Sequence, residues 1–153
     1  MAMVQRFEEL VAWQKARLMT RSVYQATRKP DFARDFGLSS QVQRAAVSTM
    51  SNIAEGFDRG GRKEFHQFLS TAKASCAEVR SLLYVASDAT YLTQPEFDAL
   101  LKQSEEVSRV IGGLRAAVAR QIPKNGRRTS PPTTTDRNTQ SSALSPQSSS
   151  SNE

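Results

Sequence analysis

Apolar residues recur at three-then-four spacing in four long stretches, roughly residues 8–29, 38–55, 62–89 and 94–122. An α-helix turns once every 3.6 residues, so this spacing lines one face of each stretch with side chains that must be buried. In the fourth stretch Phe97, Leu101, Ser104, Val107, Ile111, Leu114, Val118 and Ile122 share one side. No comparable alternating run points to a strand. The expected fold is all-α, an antiparallel up-and-down four-helix bundle.

Only the part before Pro123 has the means to fold. From there the chain is almost wholly Lys, Asn, Gly, Arg, Thr, Ser, Pro and Gln, with Ala143 and Leu144 as its apolar residues. Such a segment cannot offset the entropy of ordering. The expected organisation is a helical domain over 1–122 and a disordered Ser/Thr/Pro-rich tail over 123–153. Residues 1–122 carry 17 Lys+Arg against 13 Asp+Glu, so the foldable part shares in the net charge of +6. A mild basic excess favours RNA, DNA or other acidic partners without demanding them. Lys124, Arg127 and Arg128 add weak, sequence-independent attraction.

Cys76 is the single cysteine, which excludes an internal disulfide and a cysteine metal cluster and makes a reducing compartment the expectation. It falls on the apolar side of the third stretch and is read as a core residue rather than a nucleophile. The N-terminus lacks a signal-peptide apolar region, and no run of about 18 apolar residues exists to cross a membrane. A cytoplasmic protein with no membrane partner is expected.

The first two stretches have more apolar surface than a lone bundle needs. The first carries a small-residue seam, Ala12, Ala16, Met19, Val23 and Ala26, and on its other side Leu10, Trp13 and Tyr24 interleave with Arg17, Arg21 and Arg28. A solvated face seldom carries a Trp and a Tyr. That side serves a subunit interface, a nucleic acid or a protein equally well. In the second stretch only Arg44, Ser48, Ser51 and Glu55 form a polar line. Leu10, Trp13, Tyr24, Val47, Met50 and Ala54 are accordingly the expected interface of a homo-oligomer.

Turn chemistry sets the boundaries. Lys29-Pro30 ends the first stretch. Two phenylalanines in the connection, Phe32 and Phe36, are placed to cap the end of the bundle, and Ser40 with Gln43 reads as a capping box for the second helix. Gly56-Phe57-Asp58-Arg59-Gly60-Gly61 is a turn and not a phosphate loop, because no strand precedes it and no Gly-Lys-Ser/Thr follows. Thr93 and Glu96, with Pro95 between them, open the fourth helix.

On the flank of the third stretch Arg62, His66, Lys73, Arg80 and Tyr84 fall in one row along some 30 Å of helix. The positive charges can track a phosphate backbone while Tyr84 stacks a base or sugar. A solvated face with intersubunit salt bridges explains the row as well. His66 is the only histidine and has no nucleophile near it in sequence, and no Glu-x-x-His pair exists for an inward di-metal site. No catalytic residue, metal or cofactor is expected. Asn52 and Glu55, before the glycine turn, are read as capping and bonding groups that fix the turn, with Arg44 or Arg59 as partners, ahead of a ligand contact.

Gln43-Arg44-Ala45-Ala46-Val47-Ser48, Ser51-Asn52-Ile53-Ala54-Glu55-Gly56, Arg59 and Lys63-Glu64-Phe65-x-x-Phe68-Leu69 form a distinctive block. Phe7-x-x-Leu10-x-x-Trp13-Gln14-x-Ala16 and Val23-Tyr24 precede it. Over roughly residues 7–118 these resemble the bacterial four-helix-bundle family encoded in intervening sequences of large-subunit ribosomal RNA genes, a family labelled ribosomal-protein-like. They are also similar to the accessory variability determinant of diversity-generating retroelements. The resemblance implies a barrel-shaped homopentamer without enzymatic activity. From the retroelement relatives it implies binding to a reverse transcriptase and to nucleic acid. By motif, Arg44, Asn52, Glu55, Gly56 and Arg59 are the family-type positions. Gly61 stands where a Ser or Thr cap is usual, Ala74 replaces a usual glycine and Arg80 a usual acid.

The expected function is a non-enzymatic oligomeric scaffold that binds nucleic acid, RNA first, through its basic helix faces. The alternative is an accessory subunit whose partner is a protein such as a reverse transcriptase. A small hydrolase or deaminase is disfavoured, because no acid–base pair or metal cluster converges.

Overall fold

The computed structural model describes residues 3–124. Except for Pro123 and Lys124, the expected disordered tail lies outside the described residues. The compact unit spans Met1–Pro123. Among the described residues there are five α-helices, a single 3-10 turn at Phe7–Glu9 and no strand. The helices are α1 (Val11–Thr27), α2 (Pro30–Arg34), α3 (Phe36–Asp58), α4 (Arg62–Asp88) and α5 (Gln94–Gln121). Four are long. Of these, α1 packs on α3 and α5, and α4 packs on the same two, around one core.

The seams follow the 3.6-residue period. Ala12, Ala16, Met19 and Val23 of α1 are buried, as are Phe97, Ser104, Val107, Ile111 and Val118 of α5. Small side chains let α1 approach α3 closely, and Thr20 ties them: its hydroxyl bonds to the Ala16 carbonyl at 2.8 Å and lies 3.1 Å from that of Ala46. Gln43 Nε2 donates to Thr27 Oγ1 at 2.8 Å about two turns further along α1. Cys76 is buried in α4, where its thiol donates to the Ser104 carbonyl at 3.2 Å. Burial pushes that thiol up to about 11, against the lowering effect of nearby Arg80 and a backbone bond at Ser108. It is a packed thiol, not a nucleophile.

Four sequence expectations change. The first helix begins at Val11, not near residue 8, because Phe7–Glu9 is a 3-10 turn and Leu10 is extended (φ −71°, ψ 124°). Leu10 therefore leaves the helical register and is buried in the protomer's own core. The connection before α3 is itself helical, with Pro30 opening α2. Helix α3 starts at Phe36 rather than after Ser40, because Asp35 Oδ1 accepts the Leu38 N–H at 3.1 Å and caps it. Finally, only Phe32 closes the end of the core; Phe36 is 76% exposed.

Ion pairs fix α1 and the link between α1 and α2 against α5. Lys15 Nζ meets Glu106 Oε1 at 2.6 Å, and Lys29 Nζ meets both Glu96 oxygens at 2.8 Å. Thr93 caps α5 as expected, accepting the Glu96 N–H at 3.3 Å and donating to the Glu96 carboxylate at 2.9 Å. Bonds from Lys29, then Thr93, hold the Glu96 carboxyl below the usual range, and Lys15 does the same to Glu106. Both folded values lie below the unfolded ones. The stabilisation is thus complete above the ordinary glutamate value of about 4.3 and is lost as pH falls through the lowered values. The melting temperature of the Glu96→Gln/Glu106→Gln variant should fall less steeply than that of the wild type between about pH 5 and pH 3. Equal slopes would remove these pairs from the acid response.

Candidate nucleic-acid interface

Helix α1 and the two residues that follow it divide their basic side chains by face. Lys15 and Lys29 turn toward α5 and are neutralised there. Arg17, Arg21 and Arg28 lie on the other side, are exposed, and have no carboxylate within ion-pair distance among the described residues. Arg17 and Arg21 are four apart, a like-charge spacing that costs a helix roughly 0.2–0.5 kcal/mol. Among the described residues no carboxylate relieves it.

The same three arginines line a groove of about 660 Å³ together with Trp13, Leu18, Tyr24 and, from α3, Met50. From Trp13 to Arg28 the groove follows about 22 Å of helix at 1.5 Å per residue. Its aromatic members differ. The Arg17 guanidinium lies 5.7 Å from the Trp13 ring centroid, and Phe7 meets that ring in a T-shaped pair at 5.1 Å. Trp13 is thereby fixed and orients Arg17. Tyr24 is 38% exposed. Its backbone carbonyl accepts from Thr27 Oγ1, so the helix beneath it is braced on the same threonine that Gln43 holds. The sequence leaves this face of α1 open between a subunit interface, a nucleic acid and a protein; the fold brings Trp13, Arg17, Arg21, Tyr24 and Arg28 together with Met50 of α3 in one groove.

The members of the row on α4 stand in different surroundings, and Arg62 lines a cavity beside Leu10, Phe57 and Phe65. Arg62 is exposed in the first turn, where a cation opposes the helix dipole. His66 is half-buried. Lys73 reaches across α5, its Nζ 3.3 Å from where a β-carbon on Gly112 would stand. Arg80 is half-buried, with its Nε buried and unpartnered among the described residues. Tyr84 makes a T-shaped pair with Phe97 at 5.1 Å and stays 53% exposed. The row exists, but Tyr84 packs on α5 through Phe97 and Lys73 lies against α5 at Gly112.

The motif block around the glycine turn is structural. Asn52 Nδ2 donates to the Ser48 carbonyl at 2.8 Å and to Ser48 Oγ at 3.1 Å, and Ser48 in turn shares a hydroxyl bond of 2.9 Å with Ser75 of α4. Glu55 pairs with Arg59 at 3.0 Å, and the Arg59 guanidinium lies 5.4 Å from the Phe68 ring centroid. A β-carbon at Gly56 would stand 2.4 Å from Phe68 Cβ, so glycine is what lets α3 and α4 cross there. Arg44 alone of the five points to solvent without an ion-pair partner among the described residues. Val47 is 38% exposed and Ala54 half-buried on the outer side of α3.

Residues 8–113 match the profile of the 23S rRNA-intervening sequence protein family. The chain belongs to that family. One solved structure similar to it is a protein of unknown function from the S23 ribosomal protein family of Bacteroides thetaiotaomicron. The two share 21% identity at a TM-score of 0.63, over 69% of this chain and 98% of the other. At that identity the likeness speaks for the fold alone. No curated protein matches the chain. As a member of the intervening-sequence family it shows no helix long and apolar enough to cross a membrane, and no cluster of three His, Cys, Asp or Glu placed to hold a metal ion, among the described residues.

Proposed function

We propose that this intervening-sequence family member is a non-enzymatic scaffold of four-helix-bundle protomers, assembled as a homopentamer, that binds nucleic acid through the α1 groove. The observation that carries the reading is the set of three arginines with no acidic partner among the described residues, beside Trp13 and Tyr24 in one concavity. A protein keeps repelling cations together where an anion completes them. RNA is favoured over DNA by the family's own name, which ties it to 23S rRNA. The α4 row Arg62, His66, Lys73 and Arg80 adds a second, shallower stripe that lengthens the electrostatic footprint.

Subunit contact is assigned to the outer side of α3, where Val47 and Ala54 lie. Five copies of a weak site on one ring bind a long strand far more tightly than one copy does. The test is light scattering with fluorescence anisotropy on the full chain. A particle near about 85 kDa, five times 16.9 kDa, should bind an RNA oligomer with strong salt dependence. Replacing Arg17, Arg21 and Arg28 together by alanine should weaken binding about tenfold or more across sequences alike and flatten the log–log salt slope by about 2, at roughly 0.7 per phosphate. An unchanged slope would remove the groove from the reading. A pentamer that binds no nucleic acid would point to a protein partner, such as a reverse transcriptase.

A further inference from the structure

The shape of the α1 groove bears on which form of nucleic acid it takes, an inference that rests on the nucleic-acid reading above. A duplex offers a protein surface its phosphates and the edges of stacked pairs, but not the faces of its bases. A shallow basic ridge suffices to follow it, and the row Arg62–Lys73–Arg80 on α4 is of that kind. The α1 groove is concave, with Leu18, Met50 and the Tyr24 ring among its apolar lining and arginines along it. Phosphate oxygens set against such a lining would lose water without gaining partners. A flat, unpaired base set there loses little and covers the exposed ring.

The two aromatic residues of the groove are not equivalent. Trp13 is taken up by Phe7 and by the guanidinium of Arg17. Tyr24 forms no ring pair among the described residues, is exposed, and stands three residues after Arg21 and four before Arg28. Along a helix those offsets put cations about one turn to either side of the ring, roughly 4.5–6 Å away along the axis. This is an arrangement of one stacking platform between two phosphate contacts. We infer that the groove is a single-strand site in which Tyr24 stacks one unpaired base, Arg21 and Arg28 hold the phosphates flanking it, and Arg17, oriented by Trp13, holds the next.

The experiment titrates the full-length protein into labelled A12 and U12 oligoribonucleotides and a 12-base-pair RNA duplex at fixed salt, reading anisotropy, with light scattering and circular dichroism on each variant. The wild type should bind the single strands more tightly than the duplex, and A12 more tightly than U12 because purines stack better. Tyr24→Ala should lower single-strand affinity roughly 5- to 100-fold while leaving duplex affinity and the salt slope in place. Tyr24→Phe should restore the single-strand affinity. Equal affinity of the wild type for strand and duplex, with Tyr24→Ala silent on both, would overturn the single-strand site and leave nucleic-acid binding standing. A loss of oligomer mass in Tyr24→Ala, with no separate effect on strand affinity, would overturn it in favour of a second copy of the chain in the groove. Failure of every probe to bind would end both readings together.

Discussion

Replacing Gly56 by alanine is expected to destabilise the protein by about 2–3 kcal/mol, although alanine is the better helix former by nearly 1 kcal/mol. The reason is geometric. Gly56 is buried in the last turns of α3, and the added β-carbon would stand 2.4 Å from Phe68 Cβ, 3.1 Å from Phe68 Cγ and 3.2 Å from Phe65 Cδ1. A β-carbon cannot swing aside as the end of a lysine can, so α3 and α4 must separate where Phe57 and Phe65 interlock at 5.8 Å. A domain of this size loses roughly 4 °C per kcal/mol, giving a melting temperature lower by about 8–12 °C. Gly113 is the internal control. It is exposed in the middle of α5 with open space where its β-carbon would go, so Gly113→Ala should gain about 0.5–1 kcal/mol. Opposite signs for one chemical change would establish that the glycine of the Asn-Ile-Ala-Glu-Gly block is there for helix crossing. A neutral Gly56→Ala would mean that the α3–α4 end is looser than the structure shows.

That block also marks where sequence reading works. Asn52 and Glu55 were expected to cap the helix end and fix the turn, with Arg44 or Arg59 as partners across an interface; Glu55 pairs with Arg59 of its own chain, and Asn52 bonds back to Ser48. Local bonding is legible because its partners sit four residues apart, the reach of one helical turn. The α1 and α5 seams were legible for the same reason, since a period of 3.6 persists through a whole helix. Leu10 was not. Counting back from Trp13 along an ideal helix puts it outside, but the backbone at Leu10 is extended, and a periodic argument does not survive a break in the helix that carries it.

The candidate site was half legible. Spacing identified Trp13, Arg17, Arg21, Tyr24 and Arg28 as one face of α1 but could not divide them, because burial and pairing come from α3, α5 and the N-terminal turn. Lys15 and Lys29 look like further members of a basic helix in sequence; Glu106 and Glu96, 91 and 67 residues away, cancel them. The α4 row shows the reverse. It was found as a row, yet Gly112 and Phe97, which engage Lys73 and Tyr84, lie on α5, and only the fold brings them together. Charge spacing along one helix finds candidates; the neighbouring helices decide which cations are free.

The two phenylalanines before α3 should separate sharply on mutation. Phe32→Ala is expected to cost about 3–5 kcal/mol, the range for emptying a buried aromatic site, and Phe36→Ala less than about 0.5 kcal/mol. Phe32 and Phe36 are four apart, and one continuous helix would place them on the same face. The chain instead breaks at Asp35 (φ −79°, ψ 75°), ending α2 and starting α3 on a new axis. Phe32 stays 1% exposed, stacked on Tyr91 at 5.3 Å, while Phe36 is left outside. Tyr91 O–H donates to Asp35 Oδ2 at 2.9 Å, so the residue that breaks the helix also anchors the ring beneath which Phe32 packs. Emptying the Phe32 site should therefore loosen the α3 cap as well as the core. Urea unfolding followed by the fluorescence of Trp13, the single tryptophan, measures both variants. Comparable losses at the two positions would mean that Phe36 is covered in solution by a second copy of the chain, because the described residues of its own protomer leave it exposed.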